Sequence, residues 1–126
     1  MLNTNQLLDT QFDLSKKVAL VTGAAGLLGV EHTIALIQAG ADVVMTDVNL
    51  EELEVSAKKV LEVTDVNPTV ALLDVSDQDS VLLVQKELAS QGKTVTILIN
   101  NAAIDPKVQK DSVVETSRLE NFSVDD

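Results

Sequence analysis

Four short apolar runs alternate with three helical stretches, and this alternation constrains the fold of the 126-residue chain more than any other feature. Residues 17–22 (KVALVT), 41–46 (ADVVMT), 69–73 (TVALL) and 95–99 (VTILI) are each rich in β-branched residues and have the length of a buried strand. Between them, apolar side chains recur at helical spacing. Leu27, Val30, Ile34 and Ile37 mark a helix over residues 26–39, and Gly40 stands where a C-terminal glycine belongs. Asn49 followed by Glu52 forms a capping-box-like start, and Leu53, Ala57, Val60 and Leu61 continue that helix to about Leu61. Asn67-Pro68 then breaks the chain. Ser76 is expected to cap a third helix that stops near Ser90, before Gly92, with Val81, Leu83, Val84 and Leu88 facing inward. The order βαβαβαβ with short connections predicts an α/β fold in which helices cover both faces of a parallel sheet. Right-handed crossovers make it a Rossmann-like, doubly wound sheet, incomplete at four strands, in the order 3-2-1-4. The expected organisation is an N-terminal extension over residues 1–13, a nucleotide-binding domain over 14–104, and a loop over 105–126, where periodicity is lost.

The loops at the strand ends carry the chemistry. Thr22-Gly23-Ala24-Ala25-Gly26-Leu27-Leu28-Gly29 lies between the first strand and the first helix. A helix N-terminus offers free N–H groups and the positive end of a dipole, which suits a pyrophosphate. Gly23 can make the turn, Gly26 can allow close approach of the phosphate, and Gly29 can let helix and sheet pack tightly. Asp47, at the end of the second strand, stands near the spacing at which a carboxylate accepts hydrogen bonds from an adenosine ribose. It repels a 2′-phosphate, and Val48, Asn49 and Leu50 offer no cation to welcome one, so NAD is favoured over NADP. Asp74-Val75 after the third strand can hold an adenine. Asn100-Asn101-Ala102-Ala103 after the fourth can tie loops together and leave room for a flat ring or a sugar.

In order and spacing, these four elements resemble the short-chain dehydrogenase/reductase family. TGAAGLLG is similar to that family's TGxxxGxG loop, LLDVSD to its adenine-side aspartate and LINNAA to its NNAG. The resemblance spans residues 14–104. It implies a cofactor-binding set of Gly23, Ala25, Gly26, Leu27, Leu28, Asp47, Asp74, Val75, Asn100, Asn101 and Ala102. It also implies an NAD(P)-dependent oxidoreductase acting on a small alcohol or carbonyl substrate, homo-oligomeric when complete. Leu27 stands where the usual pattern has its middle glycine, and Gly26 precedes it. The resulting TGxxGxxG also occurs in sugar-nucleotide epimerases and dehydratases. Ala103 replaces the final glycine of NNAG.

The family's proton relay uses a tyrosine, a lysine four residues later, a serine and an asparagine. A tyrosine ionises near pH ~10 unless its neighbours lower that value. The chain contains no tyrosine, and Asn121 precedes the helix in which the family places its asparagine, so no residue is assigned a catalytic role. The expectation is an N-terminal, dinucleotide-binding part of such an enzyme. The alternatives are a non-catalytic nucleotide-binding module and a part of an epimerase or dehydratase.

Composition excludes other classes. Net charge is −11, and no basic patch suggests nucleic acid. No cysteine is present, which removes disulfides, thiol catalysis and cysteine-ligated metal. The single histidine, His32, reads as a helix-surface residue and cannot anchor a zinc site alone. The absence of a long apolar run and of a basic-then-apolar leader gives the expectation of a cytoplasmic protein that does not enter a membrane.

Overall fold

The computed structural model describes Asn3 and residues 11–103; the loop expected over 105–126, Asn121 and most of the N-terminal extension lie outside the described residues. The elements run β1 (Val18–Val21), α1 (Leu27–Gln38), β2 (Asp42–Asp47), α2 (Leu50–Thr64), β3 (Thr69–Leu72), α3 (Gln78–Ser90) and β4 (Ile97–Ile99). All strand pairs are parallel, and the sheet order is β3-β2-β1-β4, as expected.

The period-two alternation of side chains divides the core between the two faces. Ala19 and Val21 of β1 lie beside Val43 and Met45 of β2 and Ile97 and Ile99 of β4. This face packs under α1 and α2, where Val30, Leu53, Ala57 and Val60 are buried. The intervening residues Leu20 and Val44 face the other way and pack with Leu73, Val84 and Leu88 under α3. That second face is covered by one helix only among the described residues. Beside β4 it keeps an open cavity of about 520 Å³ lined by Leu20, Leu73, Val84, Leu88, Val95 and Leu98, among others. Leu98 is 55% exposed, which fits an apolar strand edge with no partner beyond β1 among the described residues.

Local chemistry accounts for the helix limits. At the end of α1, the Gly40 N–H donates to the Ile37 carbonyl and the Ala41 N–H to the Leu36 carbonyl, a Schellman arrangement. Asn49 caps α2 by accepting from the Glu52 N–H at 3.2 Å, as its spacing predicts. The cap of α3 differs from the expectation. Asp77, not Ser76, is the N-cap and accepts from the Asp79 N–H, while the Ser76 hydroxyl and N–H both donate back to the Asp74 carboxylate and turn that side chain away from the helix. Three stripes are also narrower than their sequence pattern. Val81 and Leu83 of α3, Leu61 of α2 and Leu27 of α1 are exposed. The apolar arc is wider than the contact each helix makes with the sheet. His32 is on the exposed face of α1, as expected.

Candidate functional site

Because every strand is parallel, their carboxyl ends deliver four loops to one edge of the sheet. Strand order reverses between β1 and β4, and the loops after these two strands meet there. Gly23 has a φ of +60°, and a Cβ on it would sit 2.8 Å from the Ala102 Cα. The residue must therefore be glycine twice over: for the left-handed turn and for the approach of the β4 loop. Thr22, at 4% exposure, joins the two loops. Its hydroxyl donates to the Ile99 carbonyl at 3.3 Å and accepts from the N–H groups of Asn101 at 3.1 Å and Ala102 at 3.0 Å. The Asn101 side-chain amide donates to the Gly23 carbonyl at 3.1 Å. Asn101 thus ties loops together through backbone bonds, as the sequence suggests. Asn100 is exposed and is among the residues that line the cavity beneath β4.

The glycine loop ends at the start of α1, and that start differs from those of the other helices. Gly26 is the N-cap, provides no side-chain hydrogen bond, and no acidic residue stands in the first turn. In α2 and α3 a side chain caps the free N–H groups and acidic residues follow. Leu27 and Leu28 are 81% and 64% exposed at this mouth. A Cβ on Gly26 would find no neighbour nearer than the Gly23 carbonyl oxygen at 3.7 Å, so the protein itself leaves this space open. Gly29, one turn in, is different: its Cβ would meet Ala24 backbone at 2.5 Å, which is the tight helix–loop packing expected of it.

Asp47 closes the side of the site toward β2. One carboxylate oxygen accepts from the Val48 N–H at 2.8 Å and the Asn49 N–H at 3.3 Å. The other accepts from the Ala25 N–H at 3.1 Å. The Ala25 carbonyl accepts from the Ser56 hydroxyl of α2 at 2.8 Å, so both backbone polar groups of Ala25 are engaged within the protein. Thr22 opens the glycine motif without a role of its own being read there, and Ser56 lies outside every motif, yet both hold the loop. Among the residues assigned to the site, none is cationic. Attraction of an anion there rests on backbone N–H groups and the α1 dipole.

Asp74 and Val75 follow β3 on the same edge, and both are exposed. Val75 borders the cavity beneath β4. The Ser76 hydroxyl at 2.6 Å and the Ser76 N–H at 3.0 Å hold the Asp74 carboxyl below its ordinary value, the hydroxyl contributing most. A carboxylate with a depressed pKa favours the fold above its unfolded pKa, and this contribution is lost as pH falls through the folded value. Replacing Ser76 by alanine is expected to raise the Asp74 titration midpoint toward that of a free aspartate. Side-chain NMR titration would check it, and an unchanged midpoint would remove the Ser76 hydroxyl as the cause. Among the described residues, no His/Cys/Asp/Glu group is placed to hold a metal ion, and no helix is long and apolar enough to cross a membrane.

A family model described as short chain dehydrogenase matches residues 17–123. A short chain dehydrogenase/reductase of Colletotrichum higginsianum is 40% identical over 91 residues, covering 72% of this chain and 34% of the relative. The crystal structure of a short-chain type dehydrogenase/reductase from Mycobacterium marinum superposes with a TM-score of 0.68 at 30% identity, over 74% of this chain and 37% of that one. The N-domain of a bacterial malonyl-CoA reductase, solved with NADP, superposes with a TM-score of 0.66 at 33% identity, over 73% of this chain and 17% of that one. The chain spans just over a third of the length of the first curated relatives it matches.

Proposed function

This chain belongs to the short chain dehydrogenase family, and we propose that it binds a nicotinamide dinucleotide for hydride transfer between that cofactor and an alcohol or carbonyl substrate. The observation that carries the reading is the bare N-terminus of α1. It opens at the strand-order reversal beside a Gly26 whose missing Cβ leaves free space, and this suits a pyrophosphate. The residues present fit the group. Gly23, Ala25, Gly26, Leu27 and Leu28 would hold the pyrophosphate side, Asp47 the adenosine ribose, Asp74 and Val75 the adenine. Asn100, Asn101 and Ala102 would border the nicotinamide half. When bound, the nicotinamide supplies the hydride donor or acceptor; the protein supplies position and electrostatics. The proton step is assigned to no residue of this chain, which contains no tyrosine.

Titration of the full-length protein with NADH, followed by the cofactor's own fluorescence, tests the reading. Saturable binding reversed by ADP-ribose is the expected result, and the absence of saturable binding would overturn it.

The finer assignment is NAD over NADP. Asp47 brings a carboxylate to the ribose side, and the residues after it, Val48, Asn49 and Leu50, are uncharged. A 2′-phosphate would meet a like charge with no cation supplied by those residues. NADPH is expected to bind at least about tenfold more weakly than NADH at low salt, the gap narrowing as salt screens the repulsion. Equal affinities at low salt would sink the NAD assignment and leave the dinucleotide assignment standing.

A further inference from the structure

The loop that presents the α1 N-terminus contains one peptide whose orientation bears directly on an anion, the one joining Ala25 to Gly26. Rotating a peptide changes ψ of the residue before it and φ of the residue after it. Gly26 has no Cβ to oppose the change in φ, and the nearest neighbour of its Cβ position, the Gly23 carbonyl oxygen, stands 3.7 Å away. Turned over, this peptide would present a carbonyl oxygen where its N–H now is. A carbonyl at the mouth of an anion site repels the anion.

Ser56 stands against that movement. It is buried, at 3% exposure, on α2 and far from the glycine loop in sequence. Its hydroxyl donates to the Ala25 carbonyl at 2.8 Å. The carbonyl is therefore drawn toward α2, and in a trans peptide the Gly26 N–H points the opposite way; that N–H donates a long hydrogen bond, 3.4 Å, to the Gly23 carbonyl, so Ser56 holds the carbonyl end of the peptide and Gly23 its N–H end. The preceding peptide is fixed separately by the Ala25 N–H on Asp47. Two side chains from different elements thus set two successive peptides, and the second tether is the only side-chain bond made to the Ala25 carbonyl among the described residues.

We propose that Ser56 is a positioning residue for dinucleotide binding: its hydrogen bond to the Ala25 carbonyl keeps the Ala25–Gly26 peptide turned so that the loop offers N–H groups to the pyrophosphate. The proposal rests on the dinucleotide reading above. Ser56 acts through the loop and touches no ligand. Its contribution falls on phosphate-bearing ligands. A nucleoside, which has a ribose but no phosphate, does not depend on the orientation of that peptide.

The test measures NADH and adenosine affinities for the full-length protein and its Ser56→Ala and Ser56→Thr variants, with amide hydrogen exchange at Gly26 and Leu27. Alanine is a good helix former, so Ser56→Ala is expected to fold. It is expected to weaken NADH about tenfold, the loss of one buried hydrogen bond, to change adenosine affinity less than about twofold, and to speed exchange at Gly26 and Leu27. Ser56→Thr, which keeps the hydroxyl, is expected to recover the NADH affinity. A parallel fall in both affinities would show general loosening and overturn the proposal. So would a Ser56→Ala protein that binds NADH as the parent does. If the parent binds no NADH, the dinucleotide reading itself fails; unchanged exchange at Gly26 and Leu27 in Ser56→Ala would then reject the tether as well.

Discussion

Replacing Gly29 by alanine is expected to lower the unfolding free energy by about 2 kcal/mol or more, although alanine is the better helix former. On an isolated helix the change would gain about 1 kcal/mol. Here the new Cβ would lie 2.5 Å from the Ala24 Cα and 2.8 Å from the Ala24 carbonyl carbon and oxygen. These are backbone atoms, so no rotamer change relieves the contact. Ala24 cannot yield cheaply either. It is fully buried, and its N–H donates to the Thr46 carbonyl at 2.9 Å, while the Thr46 hydroxyl donates to the Val21 carbonyl. The strain therefore passes into β1 and β2, and overpacking of such a site costs about 1–3 kcal/mol or more. Urea denaturation of the two proteins would measure the difference. A variant as stable as the parent would mean that α1 does not seat on the Ala24 peptide, and the close helix–loop packing would have to be abandoned.

Gly29 could be read from the sequence because its role is local: a glycine early in a helix that follows a strand points to close packing by itself. The element order was legible for a similar reason, since strand runs and helical stripes have periods that each segment declares alone. Helix α3 shows where this stops. Val81, Leu82, Leu83 and Val84 form a continuous apolar run that wraps most of the helix, so periodicity cannot choose the buried side. Contact with Leu20, Val44 and Leu73 chooses it, and only Val84 and Leu88 are buried. The cap failed on a competition between neighbours. Ser76 and Asp77 are both good N-caps, and the Asp74 carboxylate, which no capping rule considers, turns the Ser76 side chain back toward itself.

The site divides in the same way. Glycines and carboxylates at strand ends converge in any parallel sheet, so Gly23, Asp47, Asp74 and Asn101 could be placed on one edge from sequence alone. The linking role of Thr22 and the presence of Ser56 could not. A threonine ending a strand and a serine inside a helix are commonplace, and each matters only through a partner far along the chain. Asp47 was legible as a ribose-side carboxylate but not as an acceptor for the Ala25 N–H. The group that would select the cofactor also helps hold the loop that would receive its phosphates.

Gly26→Ala separates the needs of the fold from those of the ligand, and its expected effect is opposite in the two. Gly26 has φ −79° and ψ 171°, extended backbone that alanine adopts without strain. Its Cβ would find only the Gly23 carbonyl oxygen, at an ordinary 3.7 Å. The fold therefore does not require glycine there, and restricting the unfolded chain is expected to raise stability by about 0.4–1 kcal/mol. The ligand does require it on the dinucleotide reading. The added methyl would fill the space at the mouth of α1, where a phosphate must come within hydrogen-bond distance of the first N–H groups. NADH affinity is expected to fall by at least about tenfold, the worth of one charge-assisted hydrogen bond held out of reach. Denaturation and NADH titration on the same preparation would read both arms. A stabilised variant with undiminished NADH affinity would place the pyrophosphate somewhere other than the α1 N-terminus. A destabilised variant would instead mean that the glycine serves the loop, as Gly23 does, and the open space beside it would lose its functional meaning.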